Sequence, residues 1–112
     1  MVIKIISLFI IVILNIATIT VNAQASLTIE NNSMRTMSVK VMKGSSGKGT
    51  LHDKVTIGAY GRKTIYFSTS GYYFTKTKAV LAGKDPVYRK GNPFSVTNDD
   101  TGYSVMTLTF FY

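Results

Sequence analysis

Residues 37–43, MSVKVMK, determine the fold class of this chain, because apolar and polar side chains alternate along the segment. One face of the extended backbone would hold Met37, Val39 and Val41, and the other Ser38, Lys40 and Met42. Successive side chains of a β-strand point to opposite faces, so this period of two is typical of a half-buried strand. The segment therefore predicts a strand with Val39 in the core.

The same alternation recurs along the rest of the chain, between turns that are rich in Gly, Asn, Asp and Pro. The other predicted strands are 27–29, 51–57, 64–68, 73–81, 87–89, 94–96 and 103–111, the last being the longest. Its Thr, Val and aromatic residues are the types that strands favour. The intervening clusters contain residues that accommodate or preset turn dihedrals, which supports the division into strands.

The fold class predicted from this pattern is all-β, because no segment after the N-terminal region has helical periodicity. About seven short strands at spacings of roughly 8 to 12 residues indicate a small antiparallel β-sandwich, and we expect it to be immunoglobulin-like. A closed barrel is the alternative, but few of the connections are uniformly short.

The first 25 residues are predicted to be a secretory signal peptide. Lys4 precedes a strongly apolar stretch at 5–14, and Ala23 and Ala25 follow in the Ala-x-Ala arrangement that precedes a cleavage site. We expect cleavage after Ala23 or Ala25, which leaves one β-sandwich domain at 26–112 without a transmembrane segment. The predicted location is therefore secreted or periplasmic.

Charge is the second compositional feature of the chain. Its 13 Lys and Arg residues outnumber 5 Asp and Glu residues, for a formal net charge of +8. Lys4 is the single charged residue of the first 25, so the predicted domain keeps +7. Such a balance favours anionic partners, here an envelope polymer or acidic glycan, and the attraction weakens with salt. Nucleic acid is not expected, and a solubilising role is the other interpretation of the charge.

The sequence offers little for catalysis, and we expect no enzyme, metal site or cofactor. The chain has no Cys and one His, His52, which is predicted to be an exposed strand residue. Asp99 and Asp100 are adjacent, but Ca²⁺ requires six to eight oxygen ligands and no loop here spaces them accordingly. These two residues are better explained as turn formers.

Residues 44–50, GSSGKGT, resemble a phosphate-binding loop only in composition. The Walker pattern requires Gly, four residues and then Gly-Lys-Ser or Gly-Lys-Thr, and here Gly49 follows Lys48. The segment is predicted to be a flexible hairpin connection.

A basic and aromatic surface is the candidate binding site. Aromatic residues at 72–74 lead into alternating Thr and Lys, which places Lys76 and Lys78 on one strand face. The predicted ligand-binding residues are Lys76, Lys78, Arg89, Lys90, Tyr66, Tyr72 and Tyr88. Tyrosines stack on sugar rings and cations bind carboxylates or phosphates, so this composition indicates a binding surface. The alternative is that the lysines only protect an edge strand from pairing.

The function predicted from these features is that of a secreted or periplasmic, non-catalytic binding module for an anionic polymer or glycan of the envelope. One alternative is a structural subunit that self-assembles by strand-edge pairing, which would make it a homo-oligomer. Another is a secreted toxin or inhibitor that acts on a protein partner.

Overall fold

The computed structural model describes residues 24–45 and 47–112, and this part of the chain is all-β, as predicted. The strands are β1 (Ala25–Asn31), β2 (Thr36–Lys43), β3 (Thr50–Ile57), β4 (Arg62–Phe67), β5 (Gly71–Val80), β6 (Val87–Lys90), β7 (Phe94–Val96), β8 (Asn98–Asp99), β9 (Gly102–Tyr103) and β10 (Val105–Phe110). The predicted signal peptide lies outside the described residues except for Gln24 and Ala25. Within the described ranges, no helix is long and apolar enough to cross a membrane.

Ten strands replace the predicted seven or so, mainly because the C-terminal part is more divided than its composition suggests. The longest strand is β5, not the last one. The predicted strand 103–111 is interrupted at Ser104, whose N–H donates to the Thr97 carbonyl at 2.8 Å. The Ser104 hydroxyl also accepts the Thr97 N–H at 2.9 Å, so this residue ties the chain to a neighbouring loop.

The first sheet has three strands in the order β10-β1-β4. β1 pairs in parallel with β10, from Ser26 opposite Val105 to Asn31 opposite Phe110, so the prediction that the strands are all antiparallel is wrong for this pair. On its other side β1 pairs antiparallel with β4. Consequently β10 and β4 form the two edges of this sheet.

The second sheet has five strands in the order β3-β2-β5-β6, with β7 pairing with β5 beyond the end of β6. All its pairings are antiparallel. The β2–β3 ladder contains a register shift between Val41 and Met42, where Asp53 and Leu51 are the respective partners. His52 is therefore the extra residue of a β-bulge.

The two sheets contribute to one hydrophobic core, an arrangement compatible with a β-sandwich. Its buried members include Leu27 and Ile29 of β1, Ile65 and Phe67 of β4, Met37, Val39 and Val41 of β2, Tyr73 of β5, Val96 of β7 and Phe110 of β10. Val39 is fully buried, as the alternation in 37–43 predicted. One face of β2, which holds Met37, Val39 and Val41, is in this core. The opposite face, which holds Ser38 and Lys40, therefore lies on the outer side of the five-stranded sheet.

Candidate anion-binding face

Four lysines lie side by side across the outer face of the five-stranded sheet. Lys40 of β2 is opposite Lys54 of β3 on one side and opposite Lys76 of β5 on the other, and Lys76 is in turn opposite Lys90 of β6. All four side chains are exposed. Neighbouring strands lie about 4.8 Å apart, so this lysine row (Lys54, Lys40, Lys76, Lys90) spans roughly 14 Å.

A second line of cross-strand partners runs beside the lysine row. Ser38 is opposite Lys78, and Lys78 is opposite Tyr88. The Lys78 Nζ lies 5.8 Å from the centroid of the Tyr88 ring, and this ring is 68% exposed. A shallow groove of about 380 Å³ lies between the two lines. We call the lysine row together with Lys78 and Tyr88 the basic face.

Phe74 anchors one end of the basic face. It lies on the same side of β5 as Lys76, yet it is fully buried. Lys76 Nζ and Lys90 Nζ are 5.9 Å and 5.2 Å from its ring centroid, within the range of cation–π attraction. The loop between β2 and β3 covers the ring, because Gly49 packs so closely that a Cβ there would be 2.9 Å from Phe74 Cε1.

The positive charge of this face is not neutralised within the described part of the chain. The single ion pair in that part joins Arg62 Nη2 to Glu30 Oε2 at 3.0 Å, on the three-stranded sheet. Asp53 precedes Lys54 but is opposite Val41, on the core-facing side of its strand. Its carboxylate accepts the Lys54 backbone N–H at 2.8 Å. Like charges directly opposite each other destabilise a sheet, so the row has a cost that an anionic ligand would relieve.

The structure brings four of the seven predicted site residues together: Lys76, Lys78, Lys90 and Tyr88. Tyr72 is on the same side of β5 but lies beyond the buried Phe74, opposite Ser95 of β7. At about 3.3 Å per residue, it is roughly 13 Å from Lys76 along the strand. Tyr72 therefore belongs to the far end of this sheet and not to the lysine row.

Arg89 and Tyr66 are not part of the lysine row, although Arg89 lines a shallow groove of about 360 Å³ with Lys76, Tyr88 and Lys90. Arg89 is opposite Thr77, a buried residue, and its guanidinium stacks 4.3 Å from the centroid of the Tyr112 ring. It thus points to the other side of β6 from Lys90. Tyr66 is exposed on β4, opposite Ser26 in the three-stranded sheet.

Two residues of the basic face are absent from the sequence-based site: Lys40 and Lys54. Both lie at polar positions of alternating segments that are predicted to be strands. Their exposure can therefore be predicted from the sequence. The missing information was the order of the strands. Only the pairing of β2 with both β3 and β5 shows that these lysines extend the row begun by Lys76.

His52 is half-buried and not the exposed residue that we predicted. The β-bulge turns its ring inward, where it stacks on Phe67 with centroids 4.8 Å apart and an interplanar angle of 9°. His52 Nε2 also hydrogen-bonds to the Tyr66 carbonyl at 2.9 Å. In the described ranges, no three His, Cys, Asp or Glu side chains cluster as metal ligands would.

The acidic turn at Asp99 is organised by its own residues. The Thr101 hydroxyl and the Thr101 backbone N–H both donate to Asp99 Oδ1, the latter at 2.8 Å. These hydrogen bonds, the hydroxyl first, lower the pKa of the Asp99 carboxyl below its ordinary value of 3.8. Its contacts are those of a turn-forming aspartate.

A smaller cleft of about 270 Å³ lies at one end of the three-stranded sheet, next to Glu30 and Arg62. Its charges are already satisfied. Glu30 Oε2 pairs with Arg62, and Glu30 Oε1 accepts a hydrogen bond from the Thr109 hydroxyl at 2.8 Å. The basic face, with its unpaired lysines, is therefore the stronger candidate site.

Compared with known proteins, the chain matches no family model and no curated sequence.

Proposed function

We propose that this protein is a non-catalytic binding module, and that its basic face binds an anionic polymer or acidic glycan of a cell envelope. The observation that supports this proposal best is the lysine row, where four exposed ammonium groups are in register without a facing carboxylate. Their mutual repulsion makes the face favourable for an anion and unfavourable when it is empty.

The shape of the face favours an extended ligand with repeated charges over a single small anion. The lysines form a line across the strands, and only the ammonium groups of Lys76 and Lys90 approach a common point, the Phe74 ring. A polymer with several carboxylates or phosphates can pair with several of these lysines at once, and its translational and rotational entropy is lost only once. Tyr88 adds an exposed ring beside Lys78, which suits stacking on a sugar.

We further propose that the chain is exported and that the domain is an immunoglobulin-like sandwich. Two sheets sharing one core support the sandwich. Ala25 bears on the cleavage site, since it is fully buried and its N–H donates to Asn98 Oδ1 at 3.0 Å. Cleavage after Ala23 preserves this residue, so we favour that position, and N-terminal sequencing of the secreted protein would test it.

The experiment that tests the binding proposal compares two double variants with equal charge. Lys76→Ala with Lys90→Ala removes half of the lysine row, whereas Lys63→Ala with Lys84→Ala removes two exposed lysines outside it. Titration with polygalacturonate at low salt should show about tenfold weaker binding for the first variant and little change for the second. Equal losses in both would mean that only net charge matters, and no binding by the wild type would reject the proposal.

Two adjacent residues provide a finer control. Arg89 and Lys90 carry the same charge on neighbouring positions of β6 but point to opposite sides. Lys90→Ala should therefore weaken binding more than Arg89→Ala does, since Arg89 only borders the basic face. Tyr88→Ala separates ligand classes, because it should weaken binding to polygalacturonate and leave binding to long-chain polyphosphate, which has no sugar ring, nearly unchanged.

A further inference from the structure

The edge of the three-stranded sheet at β10 differs from the other sheet edges in its chemistry. β3 contains Lys54, β4 contains Arg62 and Lys63, and β6 contains Arg89 and Lys90. β7 is only three residues long and follows Pro93. Charges, prolines and short strands are the devices by which sheets prevent unwanted pairing.

β10 has none of these devices. Its sequence, VMTLTF, extends over six residues without charge or proline. One side of the strand pairs with β1, and no strand among residues 24–45 and 47–112 pairs with the other. Val105 is 71% exposed. The N–H and C=O groups of this free edge are therefore available to a further strand.

An apolar groove of about 440 Å³ lies beside this edge, where the two sheets are open. Leu27, Phe94, Met106 and Leu108 line it. The last three are only partly buried although they pack against the core. A strand added to β10 would project alternate side chains over the groove and remove these residues from water.

We infer that the occupant of this edge is the β10 strand of a second copy, paired antiparallel across a two-fold axis. The strand β10 has a similar pattern of side chains in both directions around Thr107, with apolar Met106 and Leu108 on one face and β-branched Val105, Thr107 and Thr109 on the other. Pairing centred on Thr107 places Met106 of each copy opposite Leu108 of the other, on the groove side. Such self-complementarity is what a two-fold interface requires.

The absence of charge on β10 also favours a second copy. Two strongly basic chains repel each other, so they can associate only where their lysines are kept apart. The lysine row points outward from the other sheet, although its Lys90 end precedes Gly91 and Asn92, which line the groove beside β10. A two-fold axis normal to the sheets would place both basic faces on the same side of the dimer, which would let one long polyanion engage both.

The interface would be small, since it extends one sheet by a single strand, and a weak dimer is expected with a Kd of about 10 to 1,000 μM. Added salt should strengthen it by screening the repulsion between copies. Binding of a polyanion to the basic face has the opposite salt dependence. Failure of the dimer and failure of the proposed function are thus distinguishable.

Sedimentation equilibrium of the purified protein up to about 1 mM, at low and high salt, tests this inference. Thr107→Lys and Thr107→Glu each place like charges opposite each other at the axis, and each should raise the dimer Kd about fivefold or more. An equimolar mixture of the two should restore association, because a Lys then faces a Glu. Thr64→Lys, on the opposite edge of the same sheet, is the matched control and should leave the Kd unchanged.

Three results would overturn the inference: a wild type that is monomeric at 1 mM, a wild-type dimer that both Thr107 variants leave intact, or folded variants whose mixture does not associate. Circular dichroism establishes that the variants fold. Amide hydrogen exchange of the wild type provides a readout without mutation. Alternate amides of β10 should gain protection as the concentration rises, and unchanged exchange in a sample that does dimerise would place the interface elsewhere.

Discussion

Lys40 lies directly opposite Lys76 on neighbouring antiparallel strands, and each of these lysines has a further lysine on its other side. Adjacent like charges repel each other, so the lysine row lowers the free energy of unfolding relative to a neutral or mixed face. The cost is small for each pair, but it favours any ligand that supplies negative charge along the row. Stability and binding are therefore expected to change in opposite directions when this charge is altered.

Lys40→Glu tests that opposition. The new carboxylate would face Lys54 and Lys76, so we expect the free energy of unfolding to rise by about 1 kcal/mol at low ionic strength and the gain to fade with salt. Polyanion binding should weaken at the same time. Thermal melts of Lys40→Glu and of the control Lys84→Glu, which makes the same charge change in an exposed turn, check this prediction. A melting temperature no higher than that of the control would contradict it.

Gly49→Ala should destabilise the loop that covers Phe74. Gly49 has a φ of +54°, and a Cβ there would lie 2.9 Å from both the Lys43 carbonyl oxygen and Phe74 Cε1. Gly47 has a φ of +65° but open space around it, so Gly47→Ala has only the conformational cost of about 1 kcal/mol. Chemical denaturation should show a loss for Gly49→Ala that exceeds this by about 1 to 3 kcal/mol. Equal losses would mean that the loop yields freely.

Val39→Asp should prevent folding. Val39 is fully buried in the core shared by the sheets, and a carboxylate there has no charged partner. The expected loss is on the order of 4 kcal/mol or more, which is a large part of the stability of a small domain. Thr36→Asp, at an exposed position of the same strand, is the control. A cooperative melt of Val39→Asp near that of the control would place Val39 outside the core.

The lowered pKa of Asp99 predicts a small pH dependence at the β8–β9 turn. A carboxyl whose pKa is depressed on folding stabilises the folded state above its unfolded pKa, and this contribution is lost as pH falls through the folded pKa. Thr101→Val removes the hydroxyl donor and should raise the Asp99 pKa toward 3.8. Carboxyl chemical shifts titrated by NMR measure it, with Thr50→Val as control. An unchanged titration of the Asp99 carboxyl would show that backbone N–H donors alone lower its pKa.

Alternation along the chain predicted the longer strands approximately, but not the division of the C-terminal part or the bulge at His52. The period of two in 37–43 correctly buries Met37, Val39 and Val41. The same rule applied to β6 separates Arg89 from Tyr88 and Lys90, although the predicted site combined all three. The faces of the strands were therefore available from local sequence.

The pairing of strands that are distant in sequence could not be predicted from local sequence. The lysine row exists because β2 lies between β3 and β5, and no local pattern specifies that order. The β-bulge at His52 and the break at Ser104 also depend on partners distant in sequence, namely Phe67 and Thr97. In the predicted connection at 44–50, Gly49 packs against Phe74, a contact that the composition of the segment does not specify.

The most direct test of the central claim is an NMR amide map of the protein titrated with hexagalacturonate at low salt. The proposal predicts that the largest shifts fall on β2, β3, β5 and β6 around the lysine row, that β1, β4 and β10 change little, and that salt reverses the effect. Shifts centred on the three-stranded sheet, or no shifts at millimolar ligand, would contradict an anion-binding function for the basic face.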